Sequence, residues 1–401
     1  MTGGTTENRR RWRIRAAVFL AAVGMAAAPL SAYAAEPAGA ASGAGATAAA
    51  SKPPANAYFV GANGTVYGYG RTADGTWQSA APVGAKMTAP PGAPVTSTRL
   101  PDGSPVAFFV GDDGAIWGGC GSLWRMTVAK LLRPGTPLTV VATPTVTMLL
   151  FSDGQGQWSG MHVESEIHHP CDIFTGPLAP LATESLPGTW HVPGGTIAAT
   201  ALPDGGVGVF AVDVTGAVHA TWRDPDGKWS DTTLTTSGTS LPGGGIAATV
   251  SPADSSPTLF YSNRGGQVVA APVAEGAGLR GDPTPVPWAV AKIPEGAALG
   301  AASSILGNDI SYIAVGGTAV DLQTDAAGQW KNAVVLSPSG FAKDGRPVAV
   351  TASADEVDVY CGTATGIPGH FGVPPHTGGE VGWRAAGLAG MVPPLGGITA
   401  S

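Results

Sequence analysis

The chain has 401 residues, 12% of them charged and 44% hydrophobic, with 60 Gly, 35 Pro and a net charge of −7. So few charges with so much Gly and Pro exclude a coiled coil or helical bundle and suit many short strands joined by turns. The acid excess argues against nucleic acid as a partner, which requires clustered Lys and Arg.

The first element is a leader. Arg9, Arg10, Arg11, Arg13 and Arg15 form a basic region, Ala16 to Leu30 an apolar core, and Ala32-Tyr33-Ala34 a small-x-small cleavage site. Residues 1–34 therefore read as a signal peptide, and a secreted, extracellular protein is expected. The arginine run resembles a twin-arginine signal, but Arg13 stands where that signal wants a second apolar residue, so both the Sec and the Tat route stay open. Removal of the leader leaves 16 Lys and Arg against 27 Asp and Glu, a net charge of −11. Past it no run reaches the roughly 18 apolar residues of a membrane span. Residues 35–55 are rich in Ala, Gly, Ser and Pro and read as a disordered linker.

From 56 to 401 the chain repeats. "AYFVGANGTVYGYGRTADGTWQS" returns as "VAFFVGDDGAIWGGCGSLWRM", "MLLFSDGQGQWSGMHV", "VFAVDVTGAVHATWRDPDGKWS", "PTLFYSNRGGQVVAAPV", "ISYIAVGGTAVDLQTDAAGQWKN" and "VDVYCGTATGIPGHFGV". With Phe59, Phe109, Phe151, Phe210, Phe260, Ile313 and Tyr360 as anchors, the spacings are 50, 42, 59, 50, 53 and 47 residues. Each copy is an apolar run, a Gly-containing turn that needs positive φ, and a second run, hence a hairpin. A short run precedes each hairpin except the first, and another follows, commonly opened by a Trp such as Trp77, Trp229 or Trp330. Four antiparallel strands per unit and seven units predict an all-β, seven-bladed β-propeller. The first unit lacks its leading strand, and the C-terminal "GGITAS" matches the heads of the other units. The segment around Ile398 to Ala400 is therefore expected to join the N-terminal blade beside Tyr58 to Val60 and close the ring.

In residues 209–230, "VFAVDVTGAVHATWRDPDGKWS", the chain resembles bacterial propeller lectins of the Photorhabdus-lectin type. Their blades repeat an apolar strand, a D/N-G turn, a strand carrying His or Trp, and a D-G-x-W hairpin. More distantly it is similar to fucose-binding and tachylectin-like propellers. The resemblance implies glycan binding in pockets between blades, with an aromatic ring stacked on the sugar and polar groups holding its hydroxyls. His219 matches the family's His/Trp, with Tyr67 and Trp117 as counterparts and Val269 and Asp321 in the weaker copies; Trp222 and Arg223 complete the candidate set. Strand alternation puts Tyr67, Trp117 and His219 opposite Val66, Ile116 and Val218.

Other clusters read as structure. The D-G-x-W turns at Asp74 and Asp226 have Gly adjacent to Asp, unlike a sialidase Asp-box, and read as turns followed by a wedged Trp. "MHVESEIHHPC" puts His162, Glu164, Glu166 and His168 on one strand face, a weak metal or acid–base candidate, since neighbours there lie about 6–7 Å apart. Cys120 and Cys171 are the candidate disulfide, at similar late positions of adjacent repeats, and Cys361 reads as a buried thiol. Asp102, Asp204, Asp254, Asp355, Glu356, Asp74, Asp226 and Asp325 fall in turns at one end, which would be acidic. They would suit calcium, but Asp in turns ordinarily accepts local hydrogen bonds, and no cofactor is called for. The innermost strands, "PVTST", "LTVVA", "TIAAT", "GIAAT", "LGAAS", "PVAVT" and "GITAS", bring no acid, His or aromatic to the channel, which argues against catalysis there.

The expectation is a secreted, non-catalytic propeller that binds a cell-surface or environmental glycan. The alternatives are an extracellular glycan-active hydrolase or lyase with loop-borne catalytic residues, and a protein-interaction scaffold.

Overall fold

The computed structural model describes residues 55–72, 76–83, 89–100, 103–119, 123–144, 146–163, 183–187, 191–252, 254–287, 291–352, 356–365, 368–373 and 398–400. All their regular structure is β, in seven separate antiparallel sheets: a seven-bladed propeller. Blade 4 shows the plan. Its strands Ile197–Ala201, Val207–Val212, Val218–Arg223 and Trp229–Thr233 pair in chain order from the inside outward.

Not every blade has four strands. In blade 5 the outermost place is divided between Gly278–Leu279 and Thr284–Pro285, both paired with Val268–Ala274. Blade 7 has three described strands, Val348–Ala352, Val357–Gly362 and Pro368–Val373. In blade 1 the innermost strand is Ile398–Ala400, paired antiparallel with Ala55–Val60 through Ala57↔Ala400 and Phe59↔Ile398.

The second strand of each blade lies between two neighbouring blades, so both its faces are buried. "VGVFAV" at 207–212 and "PTLFYS" at 257–262 have no exposed position. The core is accordingly seven apolar clusters, one per seam between blades. In the blade 4–5 seam, Phe210 and Trp222 meet edge-on with ring centroids 5.3 Å apart and pack against blade 5 through Leu259 and Val273.

Pairing registers correct the repeat alignment. The second and third strands are joined by loops of equal length, as in 61–65, 213–217 and 314–318, which makes Phe59, Phe109, Phe151, Ala211, Tyr261, Tyr312 and Cys361 equivalent. Their spacings are 50, 42, 60, 50, 51 and 49 residues. Phe210, Phe260 and Tyr360 stand one residue before the equivalent position and Ile313 one after. By the same register Val320, not Asp321, is the counterpart of His219.

Six of these loops are latched from behind. The segment leading to the next blade sends one backbone N–H to the loop carbonyl: Ala89 to Gly64, Leu132 to Gly114, His191 to Gly156, Ser240 to Gly216, Ile293 to Gly266 and Ala342 to Gly317, at 2.9–3.1 Å. At Gly216 the latch and a φ of +82° both demand glycine, because a Cβ would drive into the Ser240 carbonyl oxygen.

Candidate functional site

At the blade 3–4, 4–5 and 5–6 seams the latched end forms a notch. One wall is the segment leaving the outermost strand of a blade; the other is the end of the second strand and the start of the third strand of the next blade. In the blade 4–5 seam this notch is an open cleft of about 440 Å³. Tyr261, Val269 and Leu279 supply its apolar wall, and Thr235, Thr236, Thr239 and Asn263 its polar rim. The blade 5–6 seam repeats it with a cleft of about 250 Å³, backed by Tyr312 and Leu322 and bordered by Gln267 and Lys292. Tyr261 and Tyr312 occupy the same register position, and burial pushes both phenols up to about 12, so each stays neutral. The Tyr312 hydroxyl donates to the Ala291 carbonyl at 3.0 Å.

The structure separates the sequence-derived candidates. Tyr67, Trp117 and His219 share the register position of Val269, which lines the blade 4–5 cleft. Tyr67 is half-buried, stacks on Phe59 with centroids 5.4 Å apart, and accepts a hydrogen bond from Asn63 Nδ2. Trp117, also half-buried, donates from Nε1 to Asp113 Oδ1 at 3.0 Å. Trp222 faces the opposite seam, buried against Phe210, and Arg223 lies at the far end of the strand. His219, Trp222 and Arg223 therefore do not converge. Of the other candidates, His162 is half-buried on Trp158–Val163, while Glu164, Glu166, His168, Cys120 and Cys171 lie outside the described residues. Among the described residues no group of three His, Cys, Asp or Glu is placed to hold a metal. Cys361 is a buried free thiol, pushed up to about 12 by its apolar surroundings.

In the blade 3–4 seam the notch is filled. His219 Nε2 donates to Asp213 Oδ2 at 3.0 Å, and its Nδ1 accepts from the Thr233 hydroxyl at 3.3 Å, the tautomer an ionised Asp213 selects. Burial alone would raise the Asp213 carboxyl. The Thr215 hydroxyl, the Ala217 and Thr215 N–H groups and His219 outweigh it and hold the carboxyl below the usual range. His191 stacks on Trp158 with centroids 3.8 Å apart and meets His219 edge-on at 5.9 Å. Among the described residues its two ring nitrogens have no hydrogen-bond partner. Both imidazoles are about 3% exposed, so this His–Asp pair resembles a base and its orienting acid but offers no approach to a substrate.

Burial, then the nearby His219, lowers the His191 pKa to about 4, with Asp213 opposing. The unfolded chain gains a proton between the ordinary value of 6.5 and about 4, whereas the folded chain does not, so stability falls as pH drops through that window. Melting temperatures of the parent and His191→Phe between pH 7 and 4.5 measure this. The variant should lose less stability on acidification, and parallel curves would refute it.

Two further buried clusters gave no local sequence signal. Between blades 7 and 1, Arg71 Nη1 reaches both Asp358 oxygens at 3.0 and 2.8 Å and Glu356 at 3.2 Å. His370 Nε2 binds the same Asp358 at 2.6 Å, and Trp77 lies under the Arg71 guanidinium. In blade 6, Asp309 and Asp321 are both fully buried. Ser311 donates to Asp321, and Gln323 to Asp309. Desolvation pushes Asp309 up to about 7 and Asp321 well above the carboxylate range, so the pair keeps a proton near neutrality.

At the opposite end, Asp74, Asp102 and Asp355 lie outside the described residues, and several of the described turn acids are engaged. Asp254 pairs with Arg280 at 2.6 Å and Asp325 with Lys331 at 2.9 Å. Asp204 and Asp224 gather near Glu275, whose carboxyl is raised by burial and then by those two charges.

The fold and its clefts define a seven-bladed β-propeller with ligand-sized notches between blades. A particular counterpart is the BP39L lectin from Burkholderia pseudomallei, similar at a TM-score of 0.70 and 21% identity over 83% of this chain and 95% of that one. AofleA from Arthrobotrys oligospora is similar at 0.52 and 13% identity over 78% of this chain and 89% of that one. A puromycin hydrolase also matches at 0.54 and 16% identity, over 84% of this chain but 53% of that one. At these identities the likeness is one of fold. No protein-family model and no curated protein matches the sequence.

Proposed function

We propose that the chain is a secreted, non-catalytic propeller that binds carbohydrate in the clefts between its blades. The observation that carries this reading is the recurrence, in successive seams, of a cleft backed by a tyrosine at one register position and bordered by polar side chains. A sugar ring presents an apolar face and a fringe of hydroxyls, and the accessible Leu279, Pro283 and Pro285, packed over the buried Tyr261 and Val269 and facing Thr and Asn side chains, complement both. The likeness of fold to a bacterial lectin supports the same conclusion. The sealed His219–Asp213 pair gives no support to hydrolysis. Residues 1–34 as an export signal, 35–55 as a linker and closure of the ring by Ile398–Ala400 belong to the same proposal.

A glycan array with and without a calcium chelator tests it, paired with Thr236→Arg. Thr236 is exposed on the cleft rim, so a long side chain there fills the 440 Å³ cleft at little cost in stability. Binding of neutral glycans should fall at least about tenfold with the melting temperature unchanged, a loss of roughly 1.4 kcal/mol. No bound glycan in either condition, or full binding by the variant, would refute the assignment.

A further inference from the structure

The two open clefts differ in chemistry. In the blade 4–5 cleft the lining side chains are uncharged, with the Arg264 guanidinium beside them engaged at the Ser240 carbonyl at 3.3 Å, and the hydroxyls both give and accept hydrogen bonds: Thr235 Oγ1 accepts the Val218 N–H at 2.9 Å, and Thr239 Oγ1 donates to the Thr236 carbonyl at 2.7 Å. In the blade 5–6 cleft the exposed polar side chains are Gln267 and Lys292. The Gln267 amide oxygen accepts from Asn263 Nδ2 at 3.2 Å and its NH₂ can donate, while the buried Tyr312 hydroxyl has given its proton to the Ala291 carbonyl and offers a ligand no donor. Lys292 adds an ammonium group with no ion-pair partner among the described residues, and no carboxylate lines the cleft.

Lys292 is also held in place at its backbone. Its carbonyl accepts the Val315 N–H of blade 6 at 2.8 Å, and the next residue, Ile293, is latched to Gly266 of blade 5 at 3.1 Å. The base of this long side chain is thus pinned across the seam, and only the stem must be ordered on binding. The protein as a whole is acidic, with a net charge of −7, so its general field repels anions and a local cation must carry their recognition.

We infer that the blade 5–6 cleft takes an acidic saccharide, one bearing a carboxylate or sulfate, with Lys292 as counter-charge and the Gln267 amide as second donor; this rests on the reading of the clefts as sugar sites. The blade 4–5 cleft takes neutral sugar. The turn at 263–267 is the partition between them, with Asn263 on one side and Gly265 to Gln267 on the other.

Titration calorimetry on the full chain tests the inference with three probes: a glucuronate-terminated oligosaccharide, its carboxyl-reduced counterpart and its sulfated counterpart. Lys292→Gln should weaken the acidic probes about tenfold, as expected for one charge-assisted contact at an exposed site, and leave the carboxyl-reduced probe unaffected. Lys228→Gln removes the same charge from an exposed turn at the other end of blade 4 and should change nothing. Comparison of the carboxylate and sulfate probes shows which anion the cleft prefers. Equal binding of acidic probes by the parent and Lys292→Gln overturns the inference. So does binding of neutral but not acidic probes, which leaves the carbohydrate assignment standing. Failure of every probe and of the array together removes that assignment first and this one with it.

Discussion

Gly216→Ala should destabilise the protein by about 3 kcal/mol or more, while Gly205→Ala costs only about 1 kcal/mol. Both residues have left-handed backbone, with φ of +82° and +91°, so the conformational penalty of a Cβ is common to the pair. They differ in what the Cβ meets. At Gly205 there is nothing within 4 Å; at Gly216 it collides with the Ser240 carbonyl oxygen, part of the segment that latches the loop. Relief of that collision must stretch the Ser240-to-Gly216 hydrogen bond and open the blade 4–5 notch. Denaturant titration of the two variants under reversible conditions measures the difference. Equal losses would mean the latch yields freely and the notch walls are soft.

Arg71→Met should cost about 3–5 kcal/mol, the usual consequence of stranding a buried charge. Arg71 and Asp358 have side chains only 3% and 4% exposed, so the loss leaves the Asp358 carboxylate in the blade 7–1 seam with His370 as its remaining close partner. Arg71→Met combined with Asp358→Asn should recover a large part of the loss, since removal of both charges spares their desolvation. Both effects should change little with salt, because a buried pair is poorly screened. An Arg71→Met loss below about 1 kcal/mol would show that water replaces the guanidinium and that the seam is wet.

The architecture was legible because turns repeat. Glycines at near-fifty-residue intervals, flanked by apolar runs, marked seven hairpins, and the placement of a C-terminal strand beside the first blade followed from one unit lacking its head. The phase within a blade was harder to read. A strand buried on both faces, such as "VGVFAV", has no polar alternation to show which residue points which way, so matching the copies by their aromatic residues places Phe210 and Phe260 one residue early. Loop length carries the phase instead: counting back from the turn glycine brings Tyr261 and Tyr312 into register. The clefts were not legible because each depends on what the segment from the preceding blade leaves unfilled. His191 fills the blade 3–4 notch, while Thr and Pro side chains leave the next one open. The Arg71–Asp358 contact spans 287 positions and has no local signature. His219, expected from the sequence as a sugar contact, is a buried side chain held by Asp213 and Thr233.

The latch has an evolutionary consequence. It is made wholly of backbone, an N–H on one segment and a carbonyl on the other, and it recurs from Gly64 to Gly317 beneath notches whose side chains differ from seam to seam. Mutation can therefore rewrite a rim, placing Thr beside one blade and Lys beside the next, without touching the bonds that shape it. A duplicated blade inherits the same backbone frame, and the side chains along its rim are free to diverge from those of its neighbour.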